Sequence, residues 1–416
     1  MSYLAPRPRV PIRAPQRLLA LVLLAVAAAL AVATVPSTAQ ELPPITVDDY
    51  GPWKRIASVA LSPDGAWMSY AYNRLEGEDT LYVRALDADG LHVVPRGTSP
   101  AFSWDSRWVV YQIAPPEEEG GRGGSGGPQP PGPRGGGGGQ ADQGRTLVLR
   151  NLATGDSTTF ADVASASFPE NTSVLLLRKR GPGRDAEYEG ADLVVHDPAS
   201  GTSLNLGNVS EFSVNESGTH LAYLVDAAGD AGNGLYLMDL SGYRISVLDS
   251  HQLTYSELTW NEDGNALAAL RGEVPEDHVQ RDNDLLILAD LDAPQSLSIL
   301  DPSSTASFPE GFVLSELSGL SWSDDSRRLF VGIKEQAEER EELENGANVD
   351  VYHWADVEPQ SVQEVRANRN RNRTWASVVN LDSGRLSFVR LADESMESAS
   401  PAGTGAWAIG QDPTPY

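Results

Sequence analysis

LSPDGAWMSYAY (61–72) and FSWDSRWVVYQI (102–113) share one pattern. Each runs apolar, Ser, any residue, Asp, a turn residue, then a strand whose apolar positions alternate. Asp-Gly and Asp-Ser turn a chain sharply, because Gly tolerates positive φ and Asp bonds its own backbone. Alternation with period two, carried by Val, Tyr and Trp, is the mark of a strand with one face buried. Further copies follow in SFPENTSVLLL (167–177), FSVNESGTHLAYLV (212–225), LTWNEDGNALAAL (258–270) and LSWSDDSRRLFVGI (320–333). A second strand motif comes after each copy, closing on a turn: LYVRALDADG (81–90), LVLRNLATG (147–155), LVVHDPASG (193–201), LYLMDLSG (235–242), LLILADLDAPQ (285–295) and SVVNLDSG (377–384).

The motif serines and threonines fall at 62, 103, 167, 213, 259 and 321, giving steps of 41, 64, 46, 46 and 62. Three of these match the period of about 40–45 residues typical of a propeller blade. Each unit reads as a meander of about four strands that cannot bury both faces alone, so neighbours must stack. The expected fold is an all-β propeller of four-stranded blades. Six repeats are complete, and SPAGTGAWAIGQD (400–412) opens a seventh, leaving an open ring. The two long steps hold insertions. Residues 115–144 contain thirteen Gly and six Pro in thirty residues, which cannot build a core. Residues 334–375 turn from acidic (KEQAEEREELENG) to basic (VRANRNRNRT), with helix expected over 335–344 on propensity.

Residues 1–17 carry Arg7, Arg9, Arg13 and Arg17, and 18–35 are uninterrupted apolar. Ser37-Thr38-Ala39 then offers small residues before Gln40. This order predicts a secretory signal over 1–39, with the propeller over 45–416. An uncleaved anchor is the alternative. Either way the body lies outside the cytoplasm, in the periplasm or secreted. The 416 residues hold 58 acids against 31 Lys plus Arg, a formal charge of −27. That field repels phosphate backbones and anionic lipid, so no nucleic-acid partner is expected. Cysteine is absent, which excludes disulfides, thiolate metal sites and Cys nucleophiles. The six His stand singly, so no metal or cofactor is expected, and a sugar- or lactone-directed propeller enzyme lacks the cluster it would need.

GGSGG (123–127) matches G-x-S-x-G, but Ser125 sits in the Gly/Pro insertion rather than between a strand and a helix, so no catalytic residue is assigned. His196-Asp197 falls at the end of a repeated strand, and the repeat accounts for it. Asp64, Asp105, Glu216, Asp263 and Asp324 recur with the turns and are expected to serve them. The candidates for substrate contact are Glu338 and Glu339, which could meet an ammonium group, and His353 and Trp354, which could line an interdomain surface. The arginines Arg366, Arg369, Arg371 and Arg373 are expected to pack against the acidic stretch.

Ser-Pro-Asp-Gly repeats after a signal segment resemble the N-terminal propeller of prolyl oligopeptidase and dipeptidyl peptidase IV type serine peptidases. VDVYHWADVEPQSVQEVRANRNRNRTWASVVNLDSGRLSFVRLAD (349–393) is the more specific part of the likeness, which spans about 45–416. It implies a propeller that gates peptide substrates above a C-terminal hydrolase domain carrying the catalytic triad. That domain and its nucleophile elbow are missing from this sequence, so the chain is expected to be inactive alone. TolB-like propellers share the Ser-Pro-Asp-Gly repeats, which leaves a periplasmic protein-binding module as the alternative.

Overall fold

The computed structural model describes residues 53–74, 78–115, 146–183, 185–291, 297–339, 359–382 and 385–412. Residues 1–39, most of 115–144, and both His353 and Trp354 lie outside them. From Lys54 onward the chain forms one compact unit of successive antiparallel sheets.

The first sheet holds β1 (Lys54–Leu61), β2 (Trp67–Arg74), β3 (Thr80–Ala85) and β4 (Leu91–Pro95) in chain order. The second holds β5 (Gly97–Phe102), β6 (Trp108–Ile113), β7 (Thr146–Asn151) and β8 (Ser157–Phe160). The third and fourth share one long strand. β9 (Val163–Ser167), β10 (Leu175–Lys179) and β11 (Ala191–Asp197) lead into β12 (Thr202–Val214). Beyond it come β13 (His220–Val225), β14 (Gly234–Asp239) and β15 (Arg244–Asp249). β12 pairs with β11 up to Val209 and with β13 after it, so one strand closes the third sheet and opens the fourth. The fifth sheet is β16 (Thr254–Trp260), β17 (Leu267–Glu273), β18 (Asp282–Leu288) and β19 (Ser298–Leu300).

In the sixth sheet the first strand is split into β20 (Phe312–Ser315) and β21 (Ser321–Trp322), both paired with β22 (Arg328–Glu335). Helix α1 (Gln360–Arg371) then precedes β23 (Trp375–Asp382) and β24 (Arg385–Arg390). A hairpin, β25 (Ser398–Pro401) and β26 (Ala408–Gln411), begins a seventh sheet. The six complete repeats and a partial seventh expected of a propeller are all present.

Each apolar core lies between two neighbouring sheets, and this makes the stack. Ala71, Leu81 and Val83 meet Val109, Tyr111 and Val148 between the first two sheets. Leu147 and Leu149 meet Leu175 and Leu177 at the next junction, and Leu193 and Val195 meet Leu221 and Tyr223 at the third. Leu224 and Leu235 meet Leu267 and Leu286, and Leu270 and Leu285 meet Leu329 and Ile333. Successive residues of one middle strand therefore enter different cores: Leu221 and Tyr223 face one neighbour, Ala222 and Leu224 the other. The half-buried alternation expected for every strand is corrected here. The middle strands are buried on both faces and read as apolar runs such as HLAYLV and LAALR.

In five of the sheets the turn after the first strand follows one plan. Ser62 Oγ accepts the Trp67 N–H at 2.9 Å and donates to Asp64 at 2.6 Å, and Asp64 also accepts the Ala66 N–H. Ser103 with Asp105 and Ser323 with Asp325 repeat the arrangement. In the fourth and fifth sheets an Asn does the work of the Ser. Asn215 Oδ1 accepts from Thr219 and His220, and Asn261 Oδ1 from Asn265 and Ala266. The sequence frame is thus two residues early from the fourth sheet on, where Asn215, Asn261 and Ser323 hold the place given to Ser213, Thr259 and Ser321. Of the five acids assigned to turns, Asp64 and Asp105 serve as expected. Asp325 replaces Asp324, and in the fourth and fifth sheets the Oδ1 atoms of Asn215 and Asn261, not the carboxylates of Glu216 and Asp263, accept the turn N–H groups.

At five of the junctions the turns of neighbouring sheets also touch. The Asp64 N–H donates to Ser106 Oγ at 3.1 Å. Asn171 Nδ2 donates to the Glu216 carbonyl, Asn215 Nδ2 to the Gly264 carbonyl at 2.9 Å, and Asn261 Nδ2 to Ser326 Oγ at 2.9 Å. The Asp324 N–H reaches the Gly403 carbonyl at 3.2 Å. The approach is tight enough to exclude a side chain. A Cβ on Gly264 (φ +66°) would stand 2.8 Å from the Glu216 nitrogen, whereas one on Gly65 (φ +70°) meets nothing within 4 Å. Gly264→Ala is therefore expected to cost about 2–4 kcal/mol in denaturant unfolding, through the φ penalty and the clash together. Gly65→Ala, with the φ penalty alone, should cost about 1–2 kcal/mol. Equal losses would show that the turn-to-turn contact contributes nothing.

Candidate functional site

The first strands of neighbouring sheets approach one another, β1 against β5 and β12 against β16, and so form the inner wall of the stack. They are irregular in a repeated way. Pairing shifts between Ala57 and Ala60, Thr98 and Ala101, and Ser256 and Thr259, which marks a β-bulge in each. Ser58, Ser99, Glu257 and Gly319 all sit at positive φ, each four residues before its turn residue. A bulge leaves backbone N–H groups without a ladder partner, and in the later sheets carboxylates take them.

Glu211 of β12 reaches across to the fifth sheet, where its Oε1 accepts the Leu258 N–H at 3.1 Å. Burial pushes the Glu211 carboxyl up, opposed by the Leu258 and Glu257 backbone N–H groups that it accepts. Glu257 in turn accepts from the Leu320 N–H of the sixth sheet. Burial first, and then the negative charges of Glu211 and Glu316, push its carboxyl up. Glu316 accepts from Asn283 Nδ2 at 3.0 Å. Beside it stands Lys334, a buried ammonium pulled down by desolvation and held up in part by Glu316. Lys334 Nζ donates to the Arg371 carbonyl at the end of α1, where a helix favours positive charge. Three consecutive sheets thus place one glutamate each on or beside the inner wall. Toward the turns the wall opens into a concavity of ≈ 650 Å³ lined by residues of β12, β16 and the turns that follow them, among them Ser213, Glu216, Trp260 and Glu262.

The candidates chosen from sequence fall elsewhere. Glu338 and Glu339 are exposed on the stretch that follows β22. Glu338 forms a β-bridge with His278, and the Glu339 N–H donates to the Asp277 carbonyl at 2.8 Å. This pairing with the β17–β18 connection also corrects the described part of the helix expected over 335–344: Glu335 closes β22, residues 336–339 are not helical, residues 340–344 lie outside the described residues, and the described helix of the insertion is α1. Arg373, assigned to the acidic stretch, instead pairs with Glu397 at 2.8 Å and stacks over Trp375.

His196 is buried, with Nδ1 2.8 Å from Ser203 Oγ and its ring edge on Phe160. Burial pulls its pKa down. Asp197 accepts from the Ala199 N–H and Ser200 Oγ, closing a turn, so the repeat accounts for both residues as expected. Among the described residues no group of three or more His, Asp or Glu is placed to hold a metal ion. Sequence reasoning passed over Glu211, Glu257 and Glu316. The signal was there as Ser-Glu followed by Phe or Leu at 210–212, 256–258 and 315–317.

No protein-family profile and no curated protein sequence matches the chain. Among solved structures it is similar to the β-propeller domain of the Trilobed protease from Pyrococcus furiosus: 10% identity, 68% of this chain and 80% of that one, TM-score 0.33. It is similar to TolB from Acinetobacter baumannii at 12% identity, over 58% of this chain and 53% of that one, TM-score 0.26. A prolyl endopeptidase matches at 14% identity over 94% of this chain and 49% of that one, TM-score 0.32. The chain thus spans about half of the latter two. At these values the likeness concerns repeated antiparallel sheets and carries nothing about activity.

The raised carboxyl of Glu257 has a stability consequence with a definite sign. A folded-state pKa above the unfolded value means that the folded form binds the proton more tightly, so stability is lost as pH rises from the unfolded value near 4.5 through the folded one. Glu257→Gln removes that cost and is expected to raise Tm by about 1–3 °C at pH 7.5. The gain should shrink toward zero below pH ~4, where the unfolded carboxyl is also protonated. Thermal melts of both proteins across pH 4–8 check this, and a gain independent of pH would contradict the assigned cause.

Proposed function

We propose that residues 45–416 are the substrate-gating propeller of an extracytoplasmic serine peptidase of the prolyl oligopeptidase type. In this reading the chain is exported by the signal over 1–39, and peptide-bond cleavage belongs to a hydrolase domain of the complete polypeptide. The observation that carries it is the acidic inner wall: Glu211, Glu257 and Glu316 contributed by three successive sheets. The charges of Glu211 and Glu316 raise the cost of charging Glu257, and a cation entering beside it relieves that cost. A peptide's free ammonium terminus is such a cation, and a wall of first strands admits an extended chain more readily than a folded protein. The 349–393 segment and the Ser-Pro-Asp-Gly turns support the same assignment.

The alternative is a TolB-like periplasmic module that binds a protein partner. The ≈ 650 Å³ concavity lined in part by Trp260 favours it, since an aromatic side chain in an open depression suits a protein anchor. Two measurements separate the readings. The purified chain should leave dipeptidyl and prolyl reporter substrates uncleaved. In calorimetry it should bind an unblocked pentapeptide about tenfold more tightly than the N-acetylated form, a difference worth about 1.4 kcal/mol. Glu257→Gln should reduce that preference. Turnover by the 416-residue chain, or equal binding of the two peptides, would sink the gating reading.

A further inference from the structure

β19 is the shortest outer strand of the complete sheets. It pairs Ser298, Ile299 and Leu300 with Ile287, Leu286 and Leu285 of β18, and stops there. The sequence explains the stop. In register Pro302 would stand opposite Asn283, and Pro has no N–H to give a ladder. Asp301 Oδ1 accepts the Ser303 N–H at 2.8 Å and turns the chain away into a short 3-10 helix, Pro302–Ser304. β18 nevertheless begins at Asp282, and over Asp282–Asp284 it is paired only with β17. Among the described residues no strand and no turn backbone bonds to the other edge of these three. Successive strand residues direct their backbone groups to opposite edges, so at least one N–H and its C=O are presented there.

The connection that carries the chain from β19 to β20 does not close over this edge. Between it and Asp282–Asp284 lies a cavity of ≈ 540 Å³. Two aromatic rings of the connection and β20 line it, and both are held from behind. Phe308 packs on Phe388 of the sixth sheet at 4.6 Å, and the Arg390 guanidinium lies 4.8 Å from the Phe312 ring. The charged residues of the lining are Asp282, Asp284, Asp301 and Glu310, with no Lys, Arg or His among them. Arg271 takes Asp284, Gln336 takes Asp282, and Asp301 is used in its turn. Glu310 is exposed. Arg390 is committed to the Ala392 carbonyl and to Glu394. The cavity therefore combines uncovered strand backbone, a fixed aromatic surface and net negative charge.

We infer that this cavity is a docking site for an extended segment of a partner polypeptide, which adds to β18 in the place that β19 leaves. The segment pairs with Asp282–Asp284 through its backbone, sets an apolar side chain against Phe308 and Phe312, and brings a Lys or Arg to Glu310. A small molecule would fit the volume. One wall, however, is strand backbone, whose donors and acceptors are matched in spacing by another strand. An edge that is only to be protected is covered or bulged out of reach, whereas this connection stands off and leaves room beside it. Charge selects a basic segment, since every ionisable group of the lining is an acid. The inference is independent of the proposed function, because none of Glu211, Glu257 and Glu316 lines the cavity.

The test titrates the 416-residue chain with a heptapeptide of alternating Val and Lys, acetylated and amidated so that it offers no terminal ammonium to the inner wall. It should bind, and at least one amide hydrogen of Asp282–Asp284 should exchange about tenfold more slowly in its presence, with β24 unaffected. The same peptide methylated on alternate backbone nitrogens should bind about tenfold more weakly, since it loses its ladder donors. Glu310→Lys changes an exposed residue, so the fold is kept. It should weaken the Val–Lys peptide and strengthen a Val–Glu peptide, each by about threefold. Glu257→Gln should alter neither. No binding of the Val–Lys peptide, equal binding of its methylated form, or indifference to Glu310→Lys would overturn the inference. So would benzylammonium protecting the same amides as well as the peptide does, which would make the cavity a small-cation site. Turnover by the chain would sink the gating reading and leave this inference standing.

Discussion

Hydrogen bonds between the turns of neighbouring sheets set the relation of one sheet to the next at five junctions. Apolar cores between sheets attract without direction: Leu224 against Leu286 is as favourable after a slide of one residue pair as before it. The bonds from Asn215 to Gly264 and from Asn261 to Ser326 are not so tolerant, because a buried amide that loses its acceptor costs about 1–3 kcal/mol. Asn215 and Asn261 are both buried, and each uses Oδ1 within its own turn and Nδ2 on the next. One side chain thus closes its hairpin and fixes the phase of its neighbour.

That double duty explains what could be read from the sequence. The Asp-Gly and Asp-Ser turns are local chemistry, so the meander, the number of units and their order were legible. The frame of the fourth to sixth repeats was not. A Ser hydroxyl and an Asn amide can accept the same N–H groups, and Ser213-Val-Asn215 imitates Ser62-Pro-Asp64 while serving a different position. Burial on both faces of the middle strands was legible only as apolar runs, which period-two reasoning discounts. The glutamates were missed for a related reason. A bulge acceptor is required where the ladder breaks, and a ladder break is a property of pairing between strands. Ser58 and Ser99 occupy the place of Glu257 in the first two sheets, so the acid does not recur with the repeat.

Charge inside the stack is handled in two ways. At the junction of the fourth and fifth sheets Arg271 holds both oxygens of Asp249 at 2.8 Å and Asp284 at 3.1 Å, and Tyr255 donates to Asp249. Each buried charge there faces an opposite one, and Arg271 is pushed up by its two carboxylates although burial acts against them. That group orients a junction and has no capacity left for a ligand. At the inner wall the pattern is reversed. Glu211 and Glu257 spend carboxylate oxygen on neutral backbone N–H groups of the following sheet, and like charges stand near one another.

The difference decides where binding can be selective. Neutral donors satisfy the geometry of a carboxylate and leave its charge uncompensated, so the bulges are stitched shut while the field of the acids remains. Lys334 stands beside Glu316, and its proton-bearing nitrogen is committed to the carbonyl at the end of α1. The field is also one-sided, since Ser58 and Ser99 line the corresponding places on the first two sheets. The acids of the wall are therefore concentrated on the later sheets.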